Sequence, residues 1–251
     1  MNYQIANPTG NITVLVTTDV PAAERFAVVH EMFDKEPTCE QVGFVKVPGG
    51  KETDGKSMGG SIALEMMGGE FCGNATMSAA AYLAKLNGLE PGAKTTIKVD
   101  SSGADEPVEV EIVANVDGSY QATLEMPMPT IDGTVVHLDG ISHMIVPADK
   151  MGHEEAEAAI KSYAEKYDAL AFGILLYSEE SDSAVKIEPL VYVRGSETMV
   201  WEHGCASGSI AAAYYKHAEC GANKINVSQP GGVITVEIDQ GKLYLTGRVE
   251  I

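Results

Sequence analysis

The chain is 251 residues long and 45% hydrophobic, enough for a substantial core in one large domain or two of ordinary size. Its 36 acidic and 17 basic residues give a formal net charge of -19, which argues against a nucleic-acid or anionic-membrane partner and leaves small-molecule chemistry open. Cysteines without close spacing, no charged-then-apolar leader at Met1-Asn2-Tyr3-Gln4, and no apolar run near the ~20 residues of a bilayer span together lead us to expect a cytoplasmic protein.

In chain order, residues 11–17 alternate, with Ile12, Val14 and Val16 on one face, which predicts a strand. Pro21 suits a first helical turn, and Phe26, Val29, Met32 and Phe33 recur at helical spacing up to about Lys35, before Pro37. Strands are expected at 41–47 and 61–67, then a helix opened by Cys72, then strands at 95–99 and 108–113. The second half reads the same way. Strands at 135–138 and 143–146 precede a helix over 153–167 with Ala156, Ala159, Ile160 and Tyr163 as its apolar face. Strands at 171–177 and 185–193 lead to a helix opened by Cys205, and strands at 224–227, 233–238 and 242–249 follow. Met126-Pro127-Met128-Pro129-Thr130 is the expected crossover. The implied fold class is α+β, with two pseudo-symmetric domains, 1–126 and 127–251, each a mostly antiparallel sheet wrapped around a central helix; the last strand is a candidate to return to the first domain.

The two cysteine helices concentrate the chemistry. Gly69-Glu70-Phe71-Cys72-Gly73-Asn74-Ala75-Thr76 opens a small-residue helix, and Gly204-Cys205-Ala206-Ser207-Gly208-Ser209 opens another of the same character. Gly88 and Gly221 each stand 16 positions beyond their cysteine, where a left-handed glycine would end the helix. At a helix N-terminus the first N–H groups lack intrahelical partners and the peptide dipoles converge, so anions bind and a thiolate is favoured. A free thiol titrates near pH ~8.5, and this setting is expected to bring it into roughly the 3.5–7.5 range. Such a pair suits proton removal from one face of a carbon and return to the other, with N–H groups holding an adjacent carboxylate. Cys39 and Cys220 lack that setting and are expected to be inert thiols.

The pattern resembles the cofactor-independent amino-acid racemases and epimerases of the diaminopimelate epimerase fold. The likeness lies in Cys72-Gly73-Asn74, Cys205-Ala206-Ser207-Gly208, Arg194-Gly195-Ser196-Glu197-Thr198 and Gly10-Asn11. It implies that Cys72 and Cys205 are the acid-base pair, that amides around Gly73, Asn74, Ala206 and Ser207 bind the substrate carboxylate, and that Asn11 and Arg194 lie near the substrate. It further implies no cofactor, no metal and a small amino-acid substrate, with a homodimer possible. Two departures bear on specificity. Gly140-Ile141-Ser142-His143 stands where the family usually has Gly-Asn-Pro-His, and Val193-Arg194-Gly195 where it has Glu-Arg-Gly. Glu202, three residues before Cys205, is the candidate replacement for that glutamate, and His143 is expected near the first cysteine. With Gly-Gly-Glu-Phe around Cys72, the chain is most similar to the histidine racemases of staphylopine-type metallophore synthesis, and diaminopimelate epimerase is the alternative.

Two readings come from other classes. Gly50-Lys51-Glu52-Thr53-Asp54-Gly55-Lys56-Ser57 matches a phosphate-loop pattern, which would indicate a nucleotide hydrolase. Met58-Gly59-Gly60 follows where that motif needs a helix, so a polar hairpin loop is the better account. A thiol-disulfide redox protein using Cys72 and Cys205 is the other. No His-Glu-x-x-His or Cys-x-x-Cys element supports a zinc site, and no lysine identifies itself as a pyridoxal phosphate anchor.

Overall fold

The computed structural model describes residues 1–47, 60–195 and 197–251. The chain divides into two compact units, Met1–Glu125 with Thr246–Ile251, and Met126–Leu245. The phosphate-loop pattern at 50–57 lies outside the described residues.

Unit 1 contains β1 (Tyr3–Pro8), β2 (Thr13–Val16), α1 (Arg25–Lys35), β3 (Gln41–Lys46), β4 (Ser61–Met66), α2 (Gly73–Leu86), β5 (Lys94–Ser101), β6 (Val108–Ala114) and most of β7 (Tyr120–Met126). Unit 2 contains β8 (Thr130–Asp132), β9 (Val135–Leu138), β10 (Ile141–Pro147), α3 (His153–Lys166), β11 (Ala171–Ser181), β12 (Ala184–Val193), β13 (Thr198–Trp201), α4 (Ala206–Cys220), β14 (Lys224–Gln229) and β15 (Gly232–Asp239). The last strand, β16 (Lys242–Glu250), starts in unit 2 and from Thr246 onward belongs to unit 1.

In unit 1 the strands run in sequence from β1 to β7 and then to β16, which pairs back onto β1 through Asn7↔Glu250 and Pro8↔Val249. The sheet is thereby closed into a barrel with no open edge. Helix α2 packs against β1, β2, β4, β5 and β6. Every residue from Gly73 to Ala84 except Tyr82 is buried, and the run of Ala75, Ala79, Ala80, Ala81 and Ala84 lets strands approach it from several sides. Its partner α1 lies on the other face of β2 and β3, where Val28 and Met32 join Val14, Val16, Val42 and Phe44. Sandwiched between two helices, β2 is buried at all four positions, so the alternation of Val14 and Val16 does not mark a solvent face. Phe26, expected on the apolar face of α1, is 77% exposed and lies edge-on against His30.

In unit 2 the pairing order is β15-β14-β12-β11-β10-β9-β8, with β13 added to β12. Helix α4 packs on β9 to β12, β14 and β15, and α3 packs on β11 and β12. There Ala156, Ile160 and Ala164 meet Phe172, Ile174 and Tyr192. Most ladders in both units are antiparallel. The parallel ones are β2–β3, β4–β5, β10–β11 and β12–β14, and each pair is separated in sequence by a helix. That is the expected geometry, because two parallel strands need a long crossover to return the chain to the same end of the sheet.

The elements are α+β as expected, with four strands among the described residues beyond those read from sequence: β1, β7, β8 and β13. Strand β7 alternates cleanly in burial from Tyr120 to Met126, a period-two signal that is present in the sequence. The glycines expected to end the cysteine helices do so in the left-handed conformation, Gly88 at φ +66° and Gly221 at φ +73°.

Candidate active site

Cys72 is the N-cap of α2, extended at φ -133° and ψ 113°, which makes Gly73 and Asn74 the first two helical residues. Its carbonyl is held twice by Thr76, whose N–H donates at 2.9 Å and whose hydroxyl donates at 2.8 Å. The half-buried thiol donates to Gln41 Oε1 at 3.0 Å, while Gln41 Nε2 donates to Thr13 Oγ1 at 2.7 Å and Thr13 in turn donates to the Asn11 carbonyl. The approach to Cys72 is fixed from behind. Ser102 Oγ donates to the Glu70 carbonyl at 2.8 Å, and Gly103, at φ +72°, sits so close to the Glu70–Phe71 peptide that a Cβ there would collide with it. Asn11 is buried, its Nδ2 donates to Glu40 at 2.7 Å, and its Oδ1 has no hydrogen-bond partner.

Cys205 is the N-cap of α4 in the same extended conformation, φ -117° and ψ 110°, followed by Ala206 and Ser207. It is 3% exposed. Its sulfur accepts the Gly208 N–H at 3.2 Å, lies 3.5 Å from Ser207 Oγ, and is hydrogen-bonded to the Glu202 side chain. Burial first, and the Glu202 carboxylate second, push this thiol well above its ordinary range. The expectation of a thiolate favoured by the helix end therefore fails at Cys205: one N–H donor and the helix dipole are outweighed by the loss of solvent and an adjacent negative charge. Gly208 has a steric role as well, since a Cβ there would press on Cys205 Sγ and Leu175 at 3.1 Å each.

His143 belongs to this second mouth by its contact. Its Nε2 lies 2.9 Å from Ser207 Oγ. The imidazole is fully buried, and desolvation lowers its pKa to about 3, so it is neutral. Gly173, opposite it on β11, makes room for the ring; a side chain at 173 would drive into Nδ1. Nothing in the sequence around Gly173 marks that requirement, apart from a glycine within an apolar strand.

Arg194 does not lie at the Cys205 mouth. Its guanidinium donates to the Ala164 carbonyl at 2.6 Å and to Asp168 at 3.1 Å, which ties the β12–β13 turn to the end of α3. Glu202 is at the other end of that hairpin, where its N–H donates to the Pro189 carbonyl at 2.9 Å. Five residue steps of ~3.3 Å each separate 189 from 194. Trp201, also in the hairpin, donates to Glu157 at 2.8 Å and stacks on His153 with ring centroids 3.9 Å apart. The glutamines Gln41 and Gln229 escaped the sequence reading, as a polar residue at a strand end carries no distinctive spacing. Gln229 Oε1 accepts the Cys205 N–H at 2.6 Å.

A cleft of about 430 Å³ in unit 2, lined by residues including Ile145, Tyr177, Glu179 and Tyr215, contains no residue of the Cys205 mouth. Its Glu179 is spent on Lys216 at 2.9 Å. Among the described residues no group of three or more His, Cys, Asp or Glu side chains could hold a metal ion, and no helix is long and apolar enough to cross a membrane.

Residues 1–251 match the family model of the histidine racemase CntK N-terminal domain. The chain is 30% identical to the histidine racemase of Fusobacterium nucleatum subsp. nucleatum, with 98% of this chain and 92% of the relative covered. It is 27% identical to the histidine racemase of Staphylococcus aureus, with 94% and 89% covered. Among solved structures it resembles a predicted epimerase from Pseudomonas aeruginosa, at TM-score 0.66 and 14% identity over 99% of this chain and 95% of that one. It also resembles a hydroxyproline epimerase from Agrobacterium vitis with bound trans-4-hydroxy-L-proline, at TM-score 0.64 and 12% identity over 99% and 89%. At these identities the structural likenesses speak for the fold, while the end-to-end family match carries more: the chain belongs to the family of the histidine racemase CntK N-terminal domain, and it is an isomerase.

Proposed function

We propose that this isomerase inverts Cα of histidine without a cofactor, using Cys72 and Cys205 as its acid-base pair. The observation that carries the reading is the Cys205 mouth: a buried thiol at a helix N-terminus, hydrogen-bonded to a carboxylate, in a chain whose curated relatives are histidine racemases. Burial and Glu202 hold Cys205 protonated at rest, so it is the proton donor of one direction. Cys72 is then the base of that direction. Its thiolate takes the Cα proton, the electron pair is delocalised into the carboxylate, and Cys205 returns a proton to the opposite face; the roles exchange in reverse.

Without an electron-sink cofactor, the carbanion must be stabilised by dipoles aimed at the carboxylate. The first-turn N–H groups at Gly73, Asn74, Ala206 and Ser207 are suited to that, because the first turn of a helix directs its N–H groups and its dipole toward an anion. Asn11 is suited to the substrate through its buried, unpartnered Oδ1. Glu202 exchanges the Cys205 proton. Neutral His143 orients Ser207.

The architecture in this reading is that of diaminopimelate epimerase, with the two units as a pseudo-twofold pair. Supporting it, each unit has the order strand, helix, strands, cysteine helix, strands. The free cysteines agree with a reducing compartment such as the cytoplasm.

The test is incubation of purified protein with L-histidine in deuterated water, followed by chiral chromatography and mass spectrometry. D-Histidine carrying deuterium at Cα is expected. A higher kcat/KM for meso-diaminopimelate would reassign the substrate, and absence of Cα exchange with every amino acid tried would overturn the mechanism.

A further inference from the structure

We infer that Gln229 is a positioning residue that aims the Cys205 thiol at Glu202, by closing a ring of hydrogen bonds through Cys205 and Ser209. The inference rests on the reading of Cys205 as an acid-base group and extends it to a residue with no contact to the sulfur of its own.

An N-cap residue has its own N–H outside the helical ladder, so that donor needs an acceptor from elsewhere when it is buried. Gln229 Oε1 supplies it at 2.6 Å. The same carboxamide donates from Nε2 to Ser209 Oγ at 2.8 Å, and the Ser209 hydroxyl donates to the Cys205 carbonyl at 2.6 Å. The ring therefore starts at the Cys205 N–H and ends at the Cys205 C=O. Its members are 7% exposed at Gln229, 3% at Cys205 and 0% at Ser209, so water cannot substitute for a lost member.

The rest of the turn reinforces this hold. Gln229 is the last residue of β14 and pairs with Gly232 of β15; between them, Gly231 donates its N–H to the His203 carbonyl at 2.7 Å. One turn thus grips the chain on both sides of Gly204, and with it the peptide geometry on which the direction of the Cα–Cβ bond depends. The sulfur at the end of that bond has a narrow set of neighbours: Gly208 N–H, Ser207 Oγ and Glu202.

At neutral pH a carboxamide fits this ring where a carboxylate does not, because the side chain must accept at one atom and donate at the other. A carboxylate would accept at both, and the Ser209 hydroxyl would turn to it and release the Cys205 carbonyl. In unit 1 the buried glutamine has a different task, since Gln41 accepts from the Cys72 thiol itself.

The experiment compares Gln229→Met, which keeps the length and removes both polar atoms, with Gln229→Glu, which keeps the shape. Three readouts are taken: racemisation of L-histidine, thermal stability, and alkylation of Cys205 and Cys72 by iodoacetamide across pH, resolved by peptide mass spectrometry. Gln229→Met should move the pH midpoint of Cys205 alkylation downward, as the thiol loses its alignment with Glu202, and leave the Cys72 midpoint in place. Its kcat should fall by on the order of 10²-fold with KM changed much less, as a small misplacement of a reacting group does. Gln229→Glu should regain activity relative to wild type as pH falls, because the protonated carboxyl again both donates and accepts. If Gln229→Met does not fold, Ser209→Ala opens the ring while keeping the Gln229–Cys205 bond, and a smaller shift in the same direction is expected. An unchanged Cys205 profile in the variants that fold would overturn the positioning role, even with activity lost. A shifted profile with full racemase activity would instead overturn the acid-base reading of Cys205 on which the inference stands.

Discussion

The mouths of α2 and α4 share a backbone solution and differ in burial and in the side chains that meet the sulfur. In both, an extended cysteine caps the helix and its carbonyl accepts twice from the residue four positions on, Thr76 in one and Ser209 in the other. In both, a buried glutamine is brought in from a strand. At Cys72 the thiol is half-buried and donates to a neutral amide oxygen. At Cys205 it is almost wholly buried and faces a carboxylate. A helix N-terminus therefore does not set the protonation of its capping thiol by itself. The dipole contributes less than ~2 kcal/mol even in favourable partly buried sites, and desolvation with a like charge overrides it at Cys205.

The sharpest break in the comparison is removal of each sulfur. Cys72→Ser and Cys205→Ser should each lower racemisation of L-histidine by on the order of 10³-fold or more while leaving the fold intact, since serine is a good N-cap but its hydroxyl is a poor base. Circular dichroism and chiral chromatography on the same samples check both halves of that statement. If only one variant loses activity, the two mouths are not partners in one reaction.

A smaller effect is expected from Glu202→Gln, about 10²-fold in kcat, because proton exchange with Cys205 is slowed and the sulfur itself remains. The charge that disfavours the thiolate would also be gone. Alkylation of Cys205 should accordingly shift to lower pH, with the profile of Cys72 unaffected; equal shifts at both would show that Glu202 acts on the protein at large.

The smallest effect concerns His143, which holds Ser207 in the second mouth. Its pKa drops from 6.5 to about 3 on burial, so the folded protein resists a proton that the unfolded chain accepts. Its stabilising contribution is complete above pH 6.5 and is lost as pH falls toward 3. By pH 5 the loss should reach about 2 kcal/mol. Urea denaturation at pH 8 and pH 5 should show wild type losing more stability than His143→Gln over that interval. Equal slopes would mean that His143 is solvated.

Much of the site is legible in the order of residues along the chain. Two cysteines followed by small residues and a glycine 16 positions on define capped, closely packed helices, because the requirement is local: chain conformation at the cap and at the stop, and small side chains along the helix. Most strands are legible for the same reason, as a period of two over four to eight residues needs no partner to be recognised. The misreadings all concern what comes from a distant segment. Phe26 has helical spacing with Val29 and Met32 yet stays in solvent, since the helix buries only the stripe that its neighbours cover. The β2 strand itself is legible from Val14 and Val16, while the burial of its other face depends on packing with α2.

Local sequence is therefore enough for the α+β class and most of its elements, the family, and the chemical character of Cys72 and Cys205 as helix caps. It takes the folded chain to show that Arg194 ties a turn to α3, that His143 contacts Ser207 across room left by Gly173, and that Gln41 and Gln229 serve the two cysteines. The state of the Cys205 thiol is likewise a tertiary property. The physical reason is common to these cases. Propensity and capping are carried by neighbouring residues along the chain, whereas desolvation, charge proximity and hydrogen-bond partnership depend on which remote segments arrive, and no local pattern encodes that arrival.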